Sequence, residues 1–262
     1  TGAALQGFML AVLTMLWFEL YAELIERELL LALALSHAVS AVLSFCLANL
    51  GASGAVEVVL CALPALSLAC YKKARDNHTP LPANPEETAR WTFPYRPVCF
   101  IAIFTFANNI MHELVPVEMV GVAFLGVVAA ALSVAFLALF AFKRFTLATL
   151  RTAALPLLLA SILALFPLRA DLAASTLASG AYVLLSIFTV ALLCKISLRY
   201  AIPALWLLGP TEAAGDLAGC LGEFTAMALP KDLPPAGGTA LLVTVCVPLL
   251  AWAYMAFATS DD

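Results

Sequence analysis

Apolar stretches of about 20 residues, repeated along the whole chain, constrain this fold more than any other feature. About 20 helical residues cross a hydrocarbon core of about 30 Å, so each stretch is long enough for one membrane-spanning helix. With 64% hydrophobic and 11% charged residues, the chain has more apolar side chains than a soluble protein of this length can bury. The stretches do not alternate as barrel strands do. The sequence therefore predicts an all-α integral membrane protein.

The apolar stretches predict about nine transmembrane helices. Their predicted ranges are 2–24, 29–50, 53–71, 97–116, 118–142, 147–167, 172–194, 200–225 and 238–258. The long polar interruption, 72–96, is rich in proline and charged residues and predicts a linker. It divides the chain into a first section of three helices, 1–71, and a six-helix bundle, 97–262.

The distribution of basic residues predicts the sidedness of these helices, because Lys and Arg concentrate in short cytoplasmic loops. If the linker is cytoplasmic, alternation places every Lys and Arg inside except Arg169 and Lys231. The linker and the C-terminus are then both cytoplasmic. The chain begins at Thr1 without a charged flank and stops at Asp262 just after an apolar stretch. We therefore expect it to be a fragment of a longer protein.

Several classes of function lack their signatures in this sequence. The net charge of −4 provides no basic patch, so we expect no nucleic acid to be bound by this segment itself. The cysteines have no metal-binding spacing, and we expect neither a metal nor another cofactor. Because the sequence contains no Gly-rich phosphate loop, no HExxH and no GxSxG, an enzyme is not expected.

Three helices, a long basic linker and six further helices resemble helices four to twelve of the major facilitator superfamily. In the second half, the stretches FKRFTLATLRTAALPLLLASILALFPL, STLASGAYVLLSIFTVALLCKISLRY and GPTEAAGDLAGCLGE are similar in order and character to bacterial LuxR-type transcriptional regulators. In those regulators a twelve-helix, major-facilitator-like membrane region precedes a helix-turn-helix DNA-binding domain, a segment that this chain lacks. The resemblance implies a membrane-embedded small-molecule sensor of the bacterial inner membrane, in a partial major-facilitator-like fold.

Two other functions remain open beside the sensor. The first is a secondary transporter of the same fold, which moves a small solute by rocking one bundle against the other. Facilitator transporters usually carry Asp and Gly in a loop that here reads FKRFTLATLR, without either residue, and this departure weakens the transporter interpretation. The second is a structural membrane subunit with no ligand.

Polar side chains recur along the predicted helix 172–194. Ser175, Ser179, Tyr182 and Ser186 follow Asp171 at intervals of three or four residues, which places them on one helical face. Polar residues inside a span are costly and suggest a pathway or ligand site. In the facilitator arrangement this helix lines the central cavity, so the resemblance implies a role in ligand binding. Serines that pack helices closely are the alternative interpretation.

A second polar group lies in the predicted helix 97–116, which also lines the cavity in the facilitator arrangement. Asn108, Asn109 and His112 are the candidate ligand contacts there. His112 could also serve a proton-linked step, because an imidazole changes protonation near neutral pH. The alternative is that His112 already lies in the outer headgroup region, where polarity costs little.

A third polar group lies in the predicted helix 200–225, where Glu212 and Asp216 share one face. Carboxylates at this depth must be paired, hydrated or protonated, and we consider both residues candidates for a proton-linked step. Three glycines lie close beside them, and the GxxxG at Gly215 and Gly219 predicts close approach of a neighbouring helix. These glycines are Gly215, Gly219 and Gly222.

Overall fold

A computed structural model describes residues 2–49, 54–77, 93–114, 123–142, 145–165, 170–228 and 247–258. All regular secondary structure in these ranges is α-helical, which confirms the predicted all-α class for this part of the chain. The helices are α1 (Gly2–Ala22), α2 (Glu26–Asn49), α3 (Gly54–Asn77), α4 (Tyr95–Leu114), α5 (Ala123–Phe140), α6 (Leu147–Leu165), α7 (Asp171–Tyr200), α8 (Ala204–Ala228) and α9 (Val247–Ala258).

Four helices in the described part of the chain are long and apolar enough to cross a membrane, namely α2, α5, α6 and α7. A shorter apolar helical segment, Phe8–Ala22, forms most of α1. Each of these segments coincides with an apolar stretch of the sequence. Length and apolarity therefore support the membrane character that the sequence predicts.

Several helix ends differ from the sequence prediction. The third helix continues to Asn77 and the fourth begins at Tyr95, so both enter the predicted linker 72–96, of which 78–92 lies outside the described residues. The seventh helix continues past residue 194 to Tyr200. It ends at Ala201, whose backbone is left-handed (φ 52°) and whose N–H donates to the Ser197 carbonyl. Charged residues near these ends interrupt the apolar pattern without interrupting the helix.

Helix α7 forms the centre of the bundle. It packs closely against α5 and α6 and also contacts α1, α2, α4 and α8. Over an apolar stretch of 18 residues, 78% of α7 is buried, against 28% of the corresponding stretch of α2. On one side of α7, α4 packs along α8 and contacts α9. On the other side, α2 packs along α5. Helices of the first section, 1–71, thus pack directly on helices of the second.

The helices meet differently at the two ends of the bundle. At one end, the turn between α1 and α2 lies beside the end of α5, the last turns of α7 and the start of α8. Charged side chains make these contacts, and we call this the charged end. At the other, the starts of α5 and α7 and the ends of α4 and α8 meet through glycines, and we call this the glycine end. This arrangement follows from helices that alternate in direction.

Candidate functional site

The polar row on α7 does not lie in one environment. Ser175 and Ser179 are 1% and 4% exposed, and no described residue forms a hydrogen bond with either hydroxyl. Thr189, further along the same helix, is also buried with a hydroxyl that lacks a partner in the described ranges. Tyr182 is instead 41% exposed. The row therefore combines buried hydroxyls that bond to no described residue and a phenol on the surface of the bundle.

Ser186 joins this row to α2 through His37, a residue that the sequence interpretation missed. The two imidazole nitrogens lie 2.9 Å from the Leu33 carbonyl (Nδ1) and 3.3 Å from the Ser186 Oγ (Nε2). A carbonyl can only accept, so Nδ1 carries the hydrogen and, in the neutral ring, Nε2 accepts from the Ser186 hydroxyl. The available signal was a lone imidazole near the middle of an apolar stretch.

The neighbouring amides of α4 have different surroundings. Asn108 is 3% exposed, and its Oδ1 has no hydrogen-bond partner in the part of the chain that the structure describes. Asn109 Nδ2 donates to Glu223 Oε1 of α8 at 3.3 Å. His112, one turn beyond Asn108, is half-buried. The α4 candidates thus contribute one buried acceptor that has no partner within the described ranges and one contact between helices.

The three glycines of α8 lie against α4. A Cβ placed on Gly222 would be 2.5 Å from the Phe106 carbonyl oxygen, and one on Gly219 would be 2.7 Å from Asn109 Nδ2. At Gly215 the nearest atom would be 3.8 Å away, which is ordinary contact. Close approach of the α4 and α8 backbones therefore depends most on Gly222, whereas a side chain at Gly219 would meet the end of the Asn109 side chain and one at Gly215 would fit.

The carboxylates of α8 face away from the core of the bundle. Glu212 and Asp216 are both exposed, beside exposed apolar side chains such as Leu217 (68%) and Leu221 (61%). Tyr182 of α7 lies within electrostatic range of both carboxylates. Among the described residues, neither carboxylate forms an ion pair. The buried polar groups of α4 and α7 are thus separate from the exposed carboxylates of α8.

The charged end contains polar contacts that the sequence did not single out as a site. Arg27 donates from Nε to the Ala138 carbonyl (3.1 Å) and from Nη2 to the Leu139 carbonyl (3.2 Å), at the end of α5. Glu19 Oε1 accepts from the Leu205 N–H (3.0 Å), at the start of α8. These side chains bind backbone groups that a helix end leaves without helical partners. Each also carries the charge that complements the dipole of the helix end.

A cavity of about 260 Å³ lies at the charged end, between the α1–α2 turn and α7. Its walls are mostly aliphatic, and its charged side chains, Glu26 and Lys195, are paired at 2.5 Å. The residues that line it are Ala22, Leu24, Ile25, Glu26, Leu29, Cys194, Lys195 and Leu198. It therefore lies at the boundary between the two sections of the chain, away from the row of serines.

Among the described residues, no group of three or more His, Cys, Asp or Glu side chains could hold a metal ion. No protein family, curated protein or solved structure matches the chain. The resemblance to LuxR-type regulators and to the major facilitator superfamily therefore stays a prediction from the sequence.

Proposed function

We propose that this chain is the membrane-embedded, small-molecule-sensing region of a LuxR-type regulator, with the DNA-binding domain outside this segment. In this proposal the chain crosses the bacterial inner membrane about nine times, with the linker and the C-terminus in the cytoplasm. The charged end of the bundle then faces the cytoplasm, because the α1–α2 turn and the Lys195 region are on the inside in the predicted topology.

The observation that carries the proposal is the position of α7. This helix contacts helices of both sections and buries the hydroxyls of Ser175, Ser179 and Thr189 without partners among the described residues. A buried hydroxyl without a partner costs about 1–3 kcal/mol. A small polar ligand that hydrogen-bonds to these groups would offset this cost, and it would change how α7 packs on its neighbours. Such a change in packing would be the signal to a cytoplasmic domain.

Contacts between the two sections favour a sensor over a rocking transporter. A rocking mechanism requires one bundle to move against the other around the substrate. Here Arg27 of the first section binds the end of α5, and Glu19 binds the start of α8. Rocking would have to break both contacts in every cycle. The observation that favours a transporter is the exposed pair Glu212 and Asp216, which suits a proton-linked step.

The gene itself provides the first test. Sequencing the reading frame downstream of residue 262 should reveal a short linker and a helix-turn-helix domain. The complete gene, expressed with a reporter under the promoter that it regulates, should then respond to a small molecule found by library screening. A frame without a DNA-binding domain would contradict the regulator proposal and leave the transporter as the better candidate.

Replacing Ser175 and Ser179 by alanine tests their role in sensing. If the two hydroxyls only fill space, their removal should leave the reporter response unchanged. It should also raise stability, because two buried hydroxyls that bond to no described residue are removed. If they bind the ligand, the ligand concentration for half-maximal response should rise at least about tenfold, which corresponds to about 1.4 kcal/mol of binding free energy, without loss of stability. Ser133→Ala is the matched control, because Ser133 is exposed and bonds its own helix.

The transporter alternative requires a different measurement. Uptake of the same molecule into proteoliposomes, driven by a proton gradient, should be absent if the chain is only a sensor. Uptake that is lost in Glu212→Gln and Asp216→Asn, and kept in Glu113→Gln, would establish transport. Glu113 is a suitable control because it is exposed at the end of α4.

A further inference from the structure

The cavity at the charged end is separate from the polar row of α7. Lys195 lies nine residues beyond Ser186, which is about 13 Å along a helix at 1.5 Å per residue. The cavity volume of about 260 Å³ is slightly below the roughly 300–1,000 Å³ of sites for drug-sized ligands. A molecule the size of a small metabolite therefore fits.

The lining divides the cavity into an apolar body and one charged position. Leu24, Ile25, Leu29 and Leu198 contribute aliphatic walls, and Ala22 and Cys194 add small apolar surfaces. Opposite charges lie side by side at Glu26 and Lys195, whose side chains are 28% and 45% exposed. Both charges thus remain accessible to a ligand that enters the cavity.

The paired charges restrict the charge of a ligand that can bind. An anion placed at Lys195 also lies beside the carboxylate of Glu26, and a cation placed at Glu26 also lies beside the ammonium of Lys195. Each singly charged ligand is therefore repelled by a like charge. An uncharged apolar molecule gains little free energy by entering the cavity, because the bilayer dissolves it equally well. A zwitterion can satisfy both side chains at once, with its ammonium on Glu26 and its anionic group on Lys195, while its aliphatic part contacts the walls.

We propose that this cavity binds a small zwitterion that carries an ammonium and an anionic oxygen group at one end and an aliphatic body at the other. Two sources share this chemistry. One is a free aliphatic amino acid from the cytoplasm, and the other is the headgroup of a zwitterionic phospholipid at the inner membrane surface. The site is additional to the sensing role proposed above and does not depend on it.

Three ligands of similar length test the charge requirement on the whole chain in detergent micelles. Norleucine is the zwitterion, while hexylamine and hexanoate each carry only one of its charges. At saturating concentration, norleucine should raise the midpoint of thermal unfolding by about 3 °C or more, and the two singly charged ligands should not. The phospholipid arm uses nanodiscs of phosphatidylethanolamine or phosphatidylglycerol, with lipid retention measured by native mass spectrometry.

Variants locate the binding. Ala22→Leu adds three carbons to the wall and should lower norleucine affinity at least about tenfold, whereas Ala213→Leu, on the exposed face of α8, should not change it. In the double variant, Glu26→Gln keeps the size of the side chain, Lys195→Gln shortens it slightly, and both charges are removed. The double glutamine variant should lose the preference for norleucine. This result tests the proposal independently of whether Ala22→Leu folds.

The possible outcomes distinguish a free amino acid from a lipid headgroup, and both from the absence of a zwitterion site. Stabilisation by norleucine alone supports a free amino acid, and selective retention of phosphatidylethanolamine supports a lipid headgroup. The proposal is overturned if neither zwitterion binds, if hexylamine or hexanoate binds as well as norleucine, or if the double glutamine variant keeps the preference. Reporter output plays no part in these measurements, so they do not depend on the sensor proposal.

Discussion

The two ends of the bundle hold neighbouring helices together by different means. At the charged end, Arg27 and Glu19 reach across to the backbone ends of α5 and α8. At the glycine end, the absence of side chains at Gly126 and Gly222 brings the backbones of neighbouring helices into contact. A charged side chain can move or be replaced by water, whereas a backbone contact leaves no room for adjustment. Substitutions should therefore cost much more at the glycine end.

The largest expected effect is at Gly126, where α5 crosses α7. A Cβ at this position would be 2.0 Å from the Thr176 carbonyl oxygen, so Gly126→Ala must push the two helices apart. We expect the free energy of unfolding to fall by about 3 kcal/mol or more, measured by denaturation in mixed micelles. Gly215→Ala is the control and should be neutral or slightly stabilising, because its Cβ makes ordinary contacts and alanine favours helix. Equal stability of the two variants would contradict the close crossing.

The contacts at these two ends could be predicted from the sequence to different extents. The apolar stretches reveal where helices are, because about 20 apolar residues match the thickness of the bilayer. The GxxxG spacing of Gly215 and Gly219 also suggested close packing, whereas the closest backbone approach is at Gly222 and Gly215 makes only ordinary contacts. The partners of Arg27 and Glu19 could not be predicted, because they are backbone groups more than 100 residues away. Such contacts depend on tertiary structure and leave no local pattern.

In the candidate site, too, the sequence predicted the position of residues along a helix but not their tertiary contacts. A spacing of three and four residues correctly describes one face of a helix, but it does not reveal what covers that face. Ser179 is buried and Tyr182 is exposed, because the neighbouring helices cover only part of α7. His37 reaches Ser186 from a helix that lies far away in sequence. Periodicity can therefore propose site residues, and only packing distinguishes those inside the bundle from those on its surface.

The second prediction concerns Arg27. Arg27→Gln should remove both hydrogen bonds to the end of α5 and the favourable charge at that helix end. Because the side chain is exposed, we expect a loss of only about 1–2 kcal/mol in the free energy of unfolding. Arg75→Gln is the matched control, because Arg75 binds Tyr71 of its own helix and its loss should cost at most about 0.5 kcal/mol. A loss as small as that of the control would show that Arg27 does not hold α5.

The third prediction separates charge from hydrogen bonding at Glu19. Glu19→Ala removes the acceptor for the Leu205 N–H and should cost about 1 kcal/mol. Glu19→Gln keeps an oxygen acceptor and loses only the interaction of the charge with the start of α8, so its cost should be about half as large. The same micelle denaturation measures both variants. An alanine variant as stable as the parent would exclude Glu19 as a cap.

The smallest effect is expected for the ion pair of Glu26 and Lys195. Both side chains are partly exposed, and solvent screening leaves such pairs a coupling of about 0.5 kcal/mol. The coupling is measured by a double-mutant cycle of Glu26→Gln, Lys195→Gln and the double variant, at low salt and again at high salt, where it should decrease. A coupling above about 2 kcal/mol that resists salt would mean that the pair is shielded from water. The charged end would then be as rigid as the glycine end, and the contrast between the two ends would disappear.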